Sequence, residues 1–181
     1  EETAFKAITV CERNGLTTGL TYEKSMGLIG LIYVRNGNES LGESLLLDCK
    51  NYYQKNKLKD DPFYYKLLIG LGHSNFQTGY YGEAYSYLEV AKELYSKNDW
   101  PKYDYLENLD LLFRTLLQSG NYEDATSLLS EMETLNNQLK LFTKPSIQNL
   151  KGILAYKKGD LKVAEKFFKQ SIDNSSKTFD N

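Results

Sequence analysis

Cysteine, histidine, proline and long apolar runs are all scarce in this chain, and each scarcity removes a class of protein. Two cysteines, Cys11 and Cys49, are too few for a disulfide framework. A lone histidine, His73, leaves no histidine-rich metal constellation and only one imidazole on which a nucleophilic triad could be built. Its neighbour Ser74 would face away from it on a helix, so no base–orienter geometry forms and no catalytic residue is expected. Nothing approaches the run of about 18 apolar residues that spans a bilayer. The opening "EETAFKAITVCERNG" places acids where a secretory leader needs basic residues, so a soluble, cytoplasmic protein is expected. The chain also starts inside a helical pattern without a methionine, which reads as a fragment of something longer.

Three prolines against 13 glycines, with 25% charged residues, favour helices over the short, turn-punctuated strands of a sandwich. With 41% hydrophobic residues, the chain can bury a sizeable core. A net charge of −2 gives no global pull toward nucleic acid or an anionic membrane. Residues 141–181 concentrate Lys144, Lys151, Lys157, Lys158, Lys162, Lys166, Lys169 and Lys177. No arginine stands among them, and Phe167 and Phe168 read as core, so a solvated capping face is expected and no direct contact with nucleic acid. Fifteen tyrosines supply rings with a polar tip, suited to half-buried positions.

Four segments line up: "GLIYVRNGNESLGESLLLDC" (30–49), "GHSNFQTGYYGEAYSYLEVA" (72–91), "FRTLLQSGNYEDATSLLSEM" (113–132) and "GILAYKKGDLKVAEKFFKQS" (152–171). The glycines at their eighth positions, Gly37, Gly79, Gly120 and Gly159, lie 42, 41 and 39 residues apart. Five residues on comes a small residue (Gly42, Ala84, Ala125, Ala164), and four beyond it a large apolar one (Leu46, Leu88, Leu129, Phe168). A glycine in the left-handed conformation ends one helix, and the next begins within two or three residues. The small residue marks where the first helix presses on the second, and the apolar one fills the wedge a turn later. Each segment is therefore an antiparallel helical hairpin, with Tyr81 packing across the turn at Gly79.

Gly30, Gly72 and Gly152 open three of the segments in mid-helix, where glycine costs about 1 kcal/mol relative to alanine. Close helix–helix approach is the expected compensation. Pro62, Pro101 and Pro145 fall at helix starts between hairpins. Asp60–Asp61 and Glu123–Asp124 sit where negative charge favours exposed backbone N–H groups. Ahead of the first hairpin, Ala4, Ile8 and Cys11 repeat the spacing of a second helix, giving half a unit over 1–15. Nine helices follow, in one domain over 1–181 with repeats near 20–57, 62–98, 101–140 and 145–177. Both thiols fall in a slot shared with Ala91, Met132 and Ser171 and read as small buried fillers.

The order of glycine, Gly-Asp/Asn-Tyr, alanine and Phe/Leu in "LGHSNFQTGYYGEAYSYLEVA" and "KGILAYKKGDLKVAEKFFKQS" resembles the tetratricopeptide repeat. The period near 40 exceeds that family's 34, and Met26, Leu68, Leu109 and Gln148 stand where it has an early tryptophan. Long periods are loosely similar to those of bacterial cytoplasmic peptide receptors and the sensor arms of transcription regulators. The resemblance implies an all-α, right-handed superhelix whose first helices line a concave groove for a protein or peptide. The family's groove positions fall on Lys66, His73, Gln77, Asp110, Arg114, Gln118, Asn149, Tyr156 and Lys157, and also on Lys24, Arg35 and Glu107. The carboxylate clamp of chaperone-tail binders is absent: Gly27, Leu31, Gly70, Glu107 and Leu111 occupy its places. The expected partner is a protein or peptide, with no cofactor and no metal. The alternative is an architectural module that self-associates, as a homodimer, through exposed repeat ends.

Overall fold

The computed structural model describes residues 2–98, 100, 102–139 and 144–179, and all its regular structure is helical. Among the described residues there are nine helices: α1 (Glu2–Arg13), α2 (Leu20–Arg35), α3 (Glu39–Lys55), α4 (Pro62–Gln77), α5 (Tyr81–Lys97), α6 (Lys102–Gln118), α7 (Tyr122–Leu139), α8 (Lys144–Lys157) and α9 (Leu161–Phe179). The chain divides into two compact units, Glu1–Leu112 and Phe113–Asn181. None of the described helices is long and apolar enough to cross a membrane.

The repeat glycines end helices as their spacing requires. Gly37, Gly79, Gly120 and Gly159 have φ of 80°, 85°, 75° and 84°. The residue after each donates its N–H back five positions: Asn38 to Tyr33, Tyr80 to Asn75, Asn121 to Leu116 and Asp160 to Ala155, at 2.8–2.9 Å. This is the six-to-one bond that satisfies a helix's last carbonyls. Lys57 makes the same kind of turn after α3 with a φ of 58°, the one non-glycine with positive φ among the described residues.

Two helix starts, those of α4 and α7, are capped by short polar side chains. Asp61 accepts the Phe63 N–H at 2.7 Å, and Pro62 takes the first position of α4, where no N–H is needed. Before α7, Asn121 accepts the Asp124 N–H at 3.4 Å and donates to its carboxylate at 2.6 Å. Pro145 lies in the first turn of α8. Pro101 lies outside the described residues.

In the first unit, the pairing of α2 with α3 is antiparallel and close. A Cβ on Gly27 would stand 2.8 Å from Cys49 Sγ, and one on Gly30 3.1 Å from Leu46 Cγ. A Cβ on Gly42 would stand 2.6 Å from Val34 Cγ2. The matched positions run in opposite directions along the two helices, as a hairpin demands. Between α4 and α5, Gly72 receives Leu88, whose Cδ2 would be 2.6 Å from an added Cβ. In the second unit, Gly152 of α8 receives the Phe168 ring of α9 at a corresponding 2.5 Å. The mid-helix glycines are thus holes that the wedge residues fill.

Ala84, Leu88, Ala91, Leu46, Cys49, Ala125 and Met132 are all fully buried. Each buried leucine contributes roughly 2 kcal/mol relative to exposure. Tyr81 lies against Phe76 across the Gly79 turn, ring centroids 5.7 Å apart. Aromatic rings also knit helix ends together, with Tyr95 stacked on Tyr105 at 4.0 Å and Trp100 against Tyr65 at 5.4 Å.

Candidate functional site

The first unit holds a cavity of about 260 Å³ lined by α2 (Leu28, Leu31, Ile32, Val34, Arg35), α4 (Lys66, Ile69, Gly70, His73) and Glu107 of α6. Its apolar wall follows from the hairpin pattern. With Gly27 and Gly30 turned to the core, Leu28, Leu31 and Ile32 occupy the adjoining face of α2. Gly70 forms part of the wall because a Cβ there would overlap the Leu31 side chain and stand 3.0 Å from Leu46 Cδ1.

Charges ring the opening. Arg35 Nη2 donates to Glu107 Oε1 at 3.2 Å, and both side chains are largely in solvent, 70% and 54% exposed. This pair joins α2 to α6 over a sequence separation of 72 residues. Such exposed pairs are worth about 0–1 kcal/mol, so it exchanges readily for another partner. His73 is half-buried, and its Nδ1 is a buried nitrogen with no hydrogen-bond partner. Burial lowers its pKa; Glu107 and Glu39 push the other way, and Arg35 reinforces burial. The ring is therefore neutral at pH 7.

Of the nine groove residues expected from the sequence, Lys66 and His73 come together on this cavity. Gln77 is exposed near the end of α4, one turn beyond His73, and Asp110 is half-buried on α6. Arg114 and Gln118, on the part of α6 that belongs to the second unit, are exposed. Asn149, Tyr156 and Lys157 are exposed on α8, with Asn149 and Tyr156 two turns apart on one face. Arg35 and Glu107 take part as a pair. Lys24 instead stands 3.8 Å from the Asp61 cap and over the Phe63 ring, supporting the start of α4.

The second unit has its own cavity of about 270 Å³, lined by α7, α8 and α9 and containing none of the expected groove residues. Lys151 on its wall pairs with Glu133 at 2.7 Å, and Lys158 donates to Thr126 at 2.9 Å. Two lysines of the basic C-terminal stretch are thereby absorbed by neighbouring helices. Lys169 pairs with Glu165 on α9 itself.

Sequence reasoning missed the buried polar residues that hold helices to one another. Asn75 donates to Glu43 at 3.1 Å and to the Leu71 carbonyl at 2.9 Å, and Ser74 reaches the same carboxylate at 3.5 Å. Asn108, wholly buried, donates to the Leu88 carbonyl at 3.2 Å. Their spacing on α4 and α6 within otherwise apolar runs was the available signal. Cys49 is fully buried, and its thiol is pushed up to about 12 by burial first and then by the charge of Glu23. Cys11 is also buried and free. No group of three or more metal-ligating side chains occurs among the described residues.

No known protein family matches the chain, and no curated protein does. Solved structures do match. One, described as a kinesin light chain of Podosopora anserina with nearly identical TPR-like repeats, aligns with a TM-score of 0.78 at 17% identity, covering 98% of this chain and 86% of that one. A glutamine-to-methionine variant under the same description gives 0.81 at 16% identity, covering 99% and 87%. The chain therefore has an all-α fold of TPR-like helical hairpins.

Proposed function

We propose that this chain is a protein- or peptide-binding scaffold, with the first helices of its hairpins (α2, α4, α6 and α8) as the recognition surface. The observation that carries the reading is the cavity between α2 and α4: it is walled by leucine and isoleucine, rimmed by Arg35, Lys66 and Glu107, and contains two residues, Lys66 and His73, expected on independent grounds to contact a partner. An apolar recess with a charged rim is the usual anatomy of a recognition site. In this reading the chain is one TPR-like domain over 1–181 with a repeat near 40 residues. It acts as the ligand-sensing or interaction arm of a larger bacterial regulator, without catalytic activity of its own. Asp110 in the first unit, and Arg114, Gln118, Asn149, Tyr156 and Lys157 in the second, are the further partner contacts of this reading, through hydrogen bonding and charge.

Capture of peptides from an immobilised synthetic library tests this. Lys66→Glu, Arg114→Ala and Asn149→Ala are each expected to reduce capture, Lys66→Glu by about tenfold or more, equivalent to about 1.4 kcal/mol. Unchanged capture by all three removes the groove. Exposed apolar side chains on and after α1 (Phe5, Val10 and Leu16, 42–59% exposed) favour self-association as the second reading. Sedimentation of the chain at high concentration decides it, since a strictly monomeric protein rules it out.

A further inference from the structure

We infer that α9 carries a docking surface for a second copy of this chain, with the two α9 helices packed antiparallel about a two-fold axis. This rests on neither the groove nor its ligand; it gives the self-association reading a more closely specified surface, distinct from α1. Leu161 and Ile172 are 64% and 68% exposed, the two most exposed large apolar side chains among the described residues. Half-buried Phe168 lies between them, and Leu161, Glu165, Phe168 and Ile172 fall at i, i+4, i+7 and i+11, which is one stripe on a helix. The side of α9 that meets its own hairpin is turned elsewhere. Ala164 is buried there and the Phe168 ring fills the hole at Gly152, so the stripe runs along the edge of the seam.

Charge selects the occupant. Glu165 stands in the middle of the stripe with its carboxylate on Lys169 of the next turn, and both side chains are in solvent, 64% and 69% exposed. A lipid surface or a wholly apolar partner would take that carboxylate out of water without a new partner, which is costly. An antiparallel second copy brings one. About a two-fold axis, residues equally far from the axis on opposite sides come together. The midpoint of Leu161 and Ile172 and that of Glu165 and Lys169 lie half a residue apart. One register, centred near residue 167, therefore sets Leu161 on the partner's Ile172 and Glu165 beside the partner's Lys169, and symmetry makes each contact twice. Parallel packing sets carboxylate on carboxylate and ammonium on ammonium, so it is disfavoured. Lys162 and Lys166 lie farther round α9 and stay exposed.

Sedimentation equilibrium of the full chain from about 5 to about 500 μM tests this. One helix pair makes a smaller contact than the standard interface of roughly 800 Å² per partner, so a dimer with a dissociation constant of about 10–100 μM is expected. Ile172→Ser is expected to weaken it about tenfold or more, and Val10→Ser on α1 to leave it unchanged, both positions being exposed. Glu165→Lys and Lys169→Glu each place like charges across the axis and are expected to keep the chain monomeric when alone. Mixed in equal amounts, the two variants present opposite charges to each other and the dimer returns, a rescue that misfolded chains would not give. A dimer lost by Val10→Ser but kept by Ile172→Ser, or single charge reversals that dimerise as tightly as the parent, overturns the α9 surface and leaves self-association through α1 standing. A chain that is monomeric at every concentration overturns both. Retention of a monomeric chain on phosphatidylserine vesicles overturns the inference in favour of a membrane surface. Capture of library peptides is independent of each of these results, so the scaffold reading stands or falls separately.

Discussion

Two hairpins of the first unit solve the same packing problem differently. In α4–α5 the inner seam has alanine in its small slot, Ala84, and a mid-helix glycine, Gly72, that accommodates the tip of Leu88. In α2–α3 glycine fills both positions, and the contact becomes backbone against backbone. A Cβ on Gly42 would lie 2.8 Å from both the Gly30 carbonyl oxygen and the Val34 nitrogen, and one on Gly30 3.0 Å from the Gly42 oxygen. The sequence alone makes the 30–49 repeat look like the poorest match, because Gly42 replaces alanine. In the structure the replacement is a requirement of closer approach. A small slot in a repeat is thus a tolerance, and the local helix separation decides whether alanine or only glycine meets it.

That difference breaks most sharply on substitution. Gly42→Ala puts a methyl group against main chain that no rotamer change can move, and is expected to destabilise the protein by about 3 kcal/mol. Gly72→Ala collides only with Leu88, and its better helix propensity offsets about 1 kcal/mol, leaving a net loss of about 1 kcal/mol. Urea melts of both variants give the ratio. Equal losses would show that the two seams are equally tight.

Alkaline titration probes the α2–α3 seam from inside. Cys49 is neutral and buried in the folded state, with its pKa raised from 9.0 to about 12. A raised folded pKa means that its contribution is fully present below the unfolded value and is lost as pH rises through 9 toward the folded value. Stability is expected to fall between about pH 9 and 12, and Cys49→Ala to flatten that slope in pH-dependent urea melts. A variant with an unaltered slope would place the titrating group elsewhere.

The link between the two hairpins offers a smaller effect of opposite sign. Lys57 holds a φ of 58°, where an L side chain costs roughly 1–2 kcal/mol and glycine does not. Lys57→Gly is expected to stabilise by about 1 kcal/mol, read as a rise in melting temperature. The smallest effect belongs to α4. His73 has its pKa lowered from 6.5 by burial, with Glu107 and Glu39 opposing and Arg35 reinforcing it. A depressed folded pKa leaves its contribution intact above 6.5 and removes it as pH falls through the folded value. His73→Gln should remove that part of the acid sensitivity in chemical melts below pH 6.5.

The hairpins were legible because their signals are local. Gly79 needs only its own backbone conformation to end α4, and Ala84 and Leu88 need only helical spacing to share a face. The answer to the early tryptophan's absence is also local: Leu68 and Leu109 fill that position as fully apolar, buried residues. Half-buried Gln148 fills it with a buried carbonyl oxygen that has no hydrogen-bond partner. The candidate site was legible only in part. Lys66 and His73 are a helical heptad apart and so share a face from spacing alone. The pairing of Arg35 with Glu107 depends on how α2, α4 and α6 are rotated and inclined, which no short pattern encodes.

By itself, then, the order of residues determined where helices start and stop, which are paired, and which side chains form the seam, since each depends on backbone dihedrals and a 3.6-residue period. Tertiary structure alone decided that Gly27 admits Phe63 and Leu67 of α4 as well as Cys49, that Gly42 tolerates no side chain, and that Leu28 and Leu31 of α2 with Ile69 of α4 leave a recess beside Arg35. These outcomes depend on distances between helices far apart in the chain, and those distances are set by the packing of all the intervening side chains at once.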